Sequence, residues 1–270
     1  MCPGGSMRNV ISASILVWLS GSALAYSVVI PQVAHGPHWK TTVRILNCSE
    51  EFVDLTASLY RADGKHWTTH GFIEHFGNAT NPDSVGRIQF GLIPWTVREI
   101  VTSLRPGVPD DGTDHTGYLV FGVDDILKGK VLITAFLTYY PDGTQPSTQV
   151  GLFPSELYTN MSFPVDIDTA VCLTNPTSQR VVVWVELSIF DASGNRRIYN
   201  NQLSIEPRRQ QAYFLKEIVK PGPALKEVDY FGWVQFYTEG GIVTFAGLPL
   251  VFRPNGMMTS VAFRGNDEAW

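Results

Sequence analysis

Apolar and polar side chains alternate with a period of two through two stretches of the chain, residues 41–65 and 169–195. In the second, Val181, Val183, Val185, Leu187 and Ile189 alternate with Val182, Trp184, Glu186, Ser188 and Phe190. In the first, Val53, Leu55, Ala57 and Leu59 alternate with Asp54, Thr56, Ser58 and Tyr60. Successive side chains of a strand point to opposite faces, so each stretch predicts a strand with one face on a core. An Asn follows the first strand of each copy (Asn47, Asn175), and a Gly-containing turn follows the second (Asp63-Gly64, Ser193-Gly194). Both are hairpin signals.

The same reading extends along the chain. Tyr26–Ala34 is a strand interrupted by Pro31, which suits a sheet edge because Pro has no N–H to donate. Trp39–Leu46 and Phe52–Tyr60 form a hairpin, His66–His75 a weaker strand, and Gly77–Ser84 a polar loop. Arg87–Ile93 ends at Pro94, Val97–Leu104 continues as strand or short helix, and Tyr118–Phe121 pairs with Val131–Tyr139. The second half answers in order: Leu203–Pro207 to Phe90–Pro94, Gly232–Phe236 to Gly117–Phe121, and Ile242–Phe252 to Val131–Tyr139. A repeat of this length is a whole small domain and too long for a solenoid unit. The expected fold is all-β, with two tandem Ig-like or jelly-roll-type β-sandwich domains related by internal duplication. They cover residues 26–150 and 151–270 and join near Gly151–Pro154.

Composition narrows the function classes. The formal net charge of −5 and scattered Lys and Arg argue against a nucleic-acid binder, which needs a basic stripe to displace counterions. Residues 1–25 read as a signal peptide, with Arg8 as the basic region, Ile11–Leu19 as the apolar run and Ala23-Leu24-Ala25 as the cleavage site. The apolar run is shorter than the roughly 20 residues of a membrane span, so no transmembrane span is expected in the mature chain. A secreted, periplasmic or cell-surface location follows, which leaves Cys48 and Cys172 in an oxidising compartment. A bond between them has to cross from one half to the other, so both are expected as small buried hydrophobes.

The segment Val29–Ser49 carries Pro-x-x-Ala followed by Thr-Thr-x-x-x-x-Asn-x-Ser, and Asp191–Gly194, Pro207…Phe214-Leu215 and Gly232-Trp233…Phe236 add D-x-x-G, P…F-L and G-W-x-x-F. With these features the chain resembles a set of exported bacterial tandem β-sandwich repeat proteins of uncharacterised function. That resemblance implies an exported repeat fold and supplies no catalytic residue. Periplasmic pilus chaperones also have two Ig-like domains, but those two domains are dissimilar, whereas these halves match each other.

The repeat separates scaffold from candidate chemistry. Tyr118 and Trp233 occupy matching places and are expected as core aromatics. Histidine is the asymmetric residue type: His35, His38, His66, His70, His75 and His115 all lie in the first half. On an extended strand His66, His70 and Glu74 share a face, and with His115 they are candidate zinc-type ligands, opening a metal-dependent hydrolytic alternative. Asp110, Asp111 and Asp114 form an acidic loop of calcium-ligand type. Trp39, Trp67 and Trp95 lack aromatic counterparts in the second half and are candidate ligand contacts, since exposed indoles stack on sugar rings. Trp184 falls on the nominally polar side of its strand, where it is a candidate to cover an interface between the halves. Asp166 and Asp168 share a strand face as a possible carboxylate pair. The chain has no G-x-S-x-G, P-loop, H-E-x-x-H or C-x-x-C motif. The expected function is therefore non-enzymatic, without a cofactor: binding, adhesion or envelope structure, with a glycan or a cell-envelope protein as partner. A chaperone that captures another subunit's strand is the further alternative.

Overall fold

The computed structural model describes residues 26–74, 79–80, 83, 86–123, 129–152, 154–166, 168–190, 193–218, 231–239, 244–253, 257–261 and 264–265. The expected signal peptide and His75 lie outside the described residues. The first half runs through β1 (Tyr26–His35), β2 (Trp39–Asn47), β3 (Val53–Arg61), β4 (His70–Glu74), β5 (Ala79–Thr80), β6 (Arg87–Leu92), β7 (Val97–Leu104), β8 (His115–Val123), β9 (Val131–Tyr139) and β10 (Thr148–Leu152). The second has β11 (Asn160–Asp166), β12 (Thr169–Thr174), β13 (Val181–Phe190), β14 (Arg196–Ile205), β15 (Gln210–Phe214), the short helix α1 (Leu215–Ile218), β16 (Phe231–Thr238), β17 (Ala246–Phe252), β18 (Met258–Ser260) and β19 (Arg264–Gly265). Among the described residues no helix is long and apolar enough to cross a membrane.

The strands form four layers. Layer I has the order β5-β4-β7-β2-β9-β10, and layer II the order β1-β8-β3-β6. The two are joined where β1 turns into β2, at the pair His35 and Lys40. Layer III is β14-β13-β16-β11-β19 and layer IV is β15-β12-β17-β18. The order β6-β3-β8-β1 thus recurs as β14-β13-β16-β11, and β7-β2-β9-β10 recurs as β15-β12-β17-β18. The fold is one antiparallel sandwich used twice.

The alternation read from the sequence is what buries each core. Val181, Val183, Val185, Leu187 and Ile189 all point inward from β13, as Val53, Leu55, Ala57 and Leu59 do from β3. The expected strand at His66–His75 is shorter, because β4 begins only at His70. Residues 62–86 form an insertion between β3 and β6 that the second half replaces with a short turn. The offset between copies accordingly falls from 128 (Asn47 to Asn175) to 113 (Pro94 to Pro207). His66, Trp67, His70 and Glu74 all sit in this insertion, which explains part of the histidine asymmetry.

The halves lock together at Pro31. It lies on β1 where the register with β8 shifts between Ile30 and Val33, so its carbonyl stands outside the regular ladder. Three donors from the second half converge on that oxygen: Gln210 Nε2 (2.5 Å), Cys172 Sγ (3.1 Å) and Thr174 Oγ1 (3.2 Å). Tyr118 Oη donates to the Arg208 carbonyl at 2.7 Å, and the Gln210 amide to the Ala62 carbonyl at 3.1 Å. Cys172, Leu248, Leu250 and Met258 of the second half belong to the apolar cluster of the first. Cys172 is thus the small buried side chain expected, whereas Cys48 is half-buried, and both are free thiols.

Candidate functional site

Antiparallel pairing of β1 with β8 sets His35 opposite His115, at the corner where layers I and II meet. The first residue of β4, His70, comes in beside both rings, with centroids 5.0 Å from His35 and 5.1 Å from His115. The Trp67 ring packs 4.4 Å from His70. His35 Nδ1 lies 3.1 Å from the Thr102 carbonyl, His70 Nδ1 3.0 Å from Thr69 Oγ1, and His115 Nε2 3.0 Å from the Asp111 carboxylate. Burial pushes the His70 pKa down to about 3, helped by repulsion from His35 and His115. Burial also lowers His35. Hydrogen bonds from Thr113, and then from His115, hold the Asp111 carboxyl at about 2. The result is a packed cluster of rings with a neutral histidine at its centre. Sequence spacing missed His35 as a member, because only the strand register brings positions so far apart together.

The expected metal set is split. His70 and His115 meet, but His66 precedes β4, and its ring packs on Tyr60 at 4.7 Å. Glu74 is held by Arg98. The period-two reading failed here because residues between His66 and His70 turn and are not extended. Among the described residues no three His, Cys, Asp or Glu side chains are placed to hold a metal ion together. The acidic loop is likewise committed locally. Asp110 accepts from the Gly112 amide, Asp111 from Thr113 and His115, and Asp114 from the His38 amide at 3.0 Å and ring at 2.9 Å. Asp166 and Asp168 both face Arg253, at 2.9 and 3.9 Å, and Asp166 also accepts from Thr169.

The three candidate tryptophans do not share a surface. Trp67 is 2% exposed and belongs to the core. Trp39 is half-buried against Tyr139 and lines a crevice of about 250 Å³ between the halves, with Leu137, Cys172, Leu250 and Phe252. Trp95 alone stands out, 65% exposed, in a turn with φ of 58°. Its counterpart Arg208 has φ of 57°, and both turns follow a proline. Left-handed backbone is uncommon for non-Gly residues, so its recurrence is a property of the fold.

An aromatic surface that the sequence reading did not assemble lies on the outer face of layer III. In β13 and β16 the register places Trp184 opposite Tyr237, Glu186 opposite Gln235, Ser188 opposite Trp233 and Phe190 opposite Phe231. The inward residues between them fill the core, so these eight face out. Phe231 is 67% exposed and stacks on Phe190 with centroids 5.7 Å apart. Trp184 therefore does not cover the contact between the halves, which is made by layer IV. Of the two matched aromatics, Tyr118 is a buried aromatic as expected, but in a small cluster with Val29 and Ala246 where the halves meet, stacked on Tyr60 at 4.9 Å. Trp233 departs from the expectation, since it stays half-exposed on the outer face of layer III. The missed signal was the run Phe231, Trp233, Tyr237 on the side of the strand opposite Val234 and Phe236.

No protein-family model matches the chain, and no curated protein sequence matches it. Among solved structures, vicilin from Capsicum annuum aligns over 88% of this chain and 78% of its own, with 6% identity and a TM-score of 0.25. So loose a likeness carries no argument about function.

Proposed function

We propose that this chain is an exported, non-enzymatic binding module of the cell envelope, and that its contact surface is the outer face of layer III. The observation that supports this reading is the patch of Trp184, Phe190, Phe231, Trp233 and Tyr237 on two adjacent strands. Large apolar surfaces gathered on one face mark interaction sites, whereas scattered ones are ordinary. Tyr and Trp are the side chains that carry most contact energy at such sites. Among the described residues the histidine cluster has no three side chains placed to hold a metal ion together, and His70 packs against Trp67.

The test immobilises residues 26–270 and measures capture of envelope fractions and soluble polysaccharides by wild type, Trp184→Ala and Phe231→Ser. Both substitutions trim side chains that point away from the core. A tenfold or greater loss in each, with His70→Gln unaffected, is expected. Undiminished capture by both face variants rejects layer III as the contact surface.

A further inference from the structure

The contact between the halves uses two surfaces, and the duplication copies both of them. The docking surface is the outer side of layer IV with the turn at Arg208. There Thr174 of β12 pairs with Ala246 on one side and Gln210 on the other. The receiving surface is the outer side of layer II, where Tyr118 and Val29 pack on Ala246, and Tyr118 donates to the Arg208 carbonyl.

Each position has a counterpart at the far end of the molecule. Leu46 of β2 pairs with Leu132 on one side and Val97 on the other, so Leu46, Leu132 and Val97 stand where Thr174, Ala246 and Gln210 stand in the second half. Trp95 stands where Arg208 does. Among the described residues nothing covers this copy of the docking surface: Leu132 is 54% exposed and Val97 59%, with Trp95 and Ile93 beside them. The copy of the receiving surface is the layer III face. Trp233 pairs with Ser188 as Tyr118 pairs with Tyr60, and Phe190 and Phe231 flank it.

We propose that the Leu46/Val97/Leu132/Trp95 surface of one copy docks on the Phe190/Phe231/Trp233 surface of a second copy, head to tail. This names the partner of the layer III face and rests on that reading. Both ends are apolar where the internal contact has its own buried residues. An occupant made of sugar accounts for the aromatic end only and leaves Leu132 and Val97 in water. By this correspondence Leu132 takes the place of Ala246 against Trp233. A groove of about 770 Å³ beside Val97 and Ile93, edged by the ion pairs Arg44–Glu99 and Arg98–Glu74, offers room for a protruding ring such as Phe231. Because the two surfaces differ, the contact is heterologous and leaves one free surface of each kind on every assembly that does not close into a ring.

The test uses residues 26–270 with two exposed-surface variants: Val97→Lys/Leu132→Glu, which blocks the first end, and Phe190→Glu/Phe231→Lys, which blocks the second. Circular dichroism and melting confirm that both fold. In sedimentation velocity, wild type grows with concentration, each variant alone stays monomeric, and an equimolar mixture forms a dimer and nothing larger. Wild type that stays monomeric at every concentration overturns the second copy as partner, and the layer III surface survives if its variants still lose envelope capture. A Phe190→Glu/Phe231→Lys protein that assembles like wild type overturns the proposal by showing a like-to-like contact. If the layer III variants alter neither assembly nor capture, the underlying reading fails as well.

Discussion

Asn47 and Asn175 make the same three hydrogen bonds in their two sandwiches. Asn47 Nδ2 donates to the carbonyls of Glu51 (2.8 Å), Leu92 (3.2 Å) and Ile93 (3.3 Å). Asn175 Nδ2 donates to those of Gln179 (2.7 Å), Ile205 (3.0 Å) and Glu206 (3.1 Å). Each Oδ1 also takes the amide and hydroxyl of the residue two further on, Ser49 or Thr177. One fully buried amide thus ties three chain segments together at the end of each sandwich.

Removing either amide strands carbonyls that water reaches poorly. Asn47→Ala and Asn175→Ala are each expected to lower stability by about 1–3 kcal/mol, the cost of leaving buried polar groups unsatisfied. Equilibrium denaturation in urea measures it. A change within error at both positions contradicts their role as ties.

The buried polar contact at Pro31 makes the two halves cooperative. Heating is expected to unfold them in one transition, with calorimetric and van't Hoff enthalpies equal. Gln210→Ala removes a side chain that reaches both the Pro31 carbonyl and Gln32 Oε1, at 2.5 and 2.7 Å. It is expected to cost about 1–3 kcal/mol and to broaden or split the transition. Two transitions in wild type contradict the coupling.

The thiols differ in the same way. Cys172 is buried, and burial pushes its pKa up to about 12, against the lowering from its Gln210 contact. A thiolate is the reactive form, so Cys172 is expected to resist alkylation until the protein unfolds. Half-buried Cys48 reacts first. Mass mapping after brief native labelling reads this directly, and early modification at Cys172 refutes it.

His70 gives an acid sensitivity with a definite sign. The folded protein keeps it neutral down to about pH 3, while the unfolded chain takes up a proton below its ordinary 6.5. The unfolded state therefore binds more protons, and stability falls as pH drops from 6.5 toward 3, by about 1.4 kcal/mol per pH unit for this one group. Above 6.5 the term vanishes. His35 shifts in the same direction and adds to the slope. His70→Gln is expected to flatten the fall in stability between pH 6.5 and 5, and an unchanged slope tells against it.

Much of the scaffold was legible in the residues. Alternation along Val181–Phe190 follows from the local rule of strands, and the Gly194 turn does join the paired strands β13 and β14. The Asn turns instead cross between layers: β2 pairs with β7 and β9 while β3 pairs with β6 and β8, so the expected hairpin of Trp39–Leu46 with Phe52–Tyr60 is not formed. Likewise Tyr118–Phe121 pairs with β1 and β3 and not with Val131–Tyr139. Pro31 interrupts its strand as read, because a missing N–H is a local fact, and the β1–β8 register shifts there; β1 itself lies between β2 and β8 in the sheet order. The sites were less legible because they depend on register. His35 meets His115 only through β1–β8 pairing, and His66 left the expected set because the chain turns before β4. Tyr118 and Trp233 matched in sequence, yet Tyr118 is buried against Ala246 of the second half while Trp233 stays half-exposed.

Hydroxyl-radical footprinting of residues 26–270 tests the layer III surface most directly, because it labels side chains according to their exposure to solvent. Samples are compared dilute and concentrated, and with and without envelope fractions. Contact through layer III protects Trp184, Phe190, Phe231 and Trp233, and contact between copies protects Trp95 and Leu132 on concentration as well. Labelling of those four aromatics that stays the same in every sample, or protection confined to His35, His70 and His115, places the contact elsewhere.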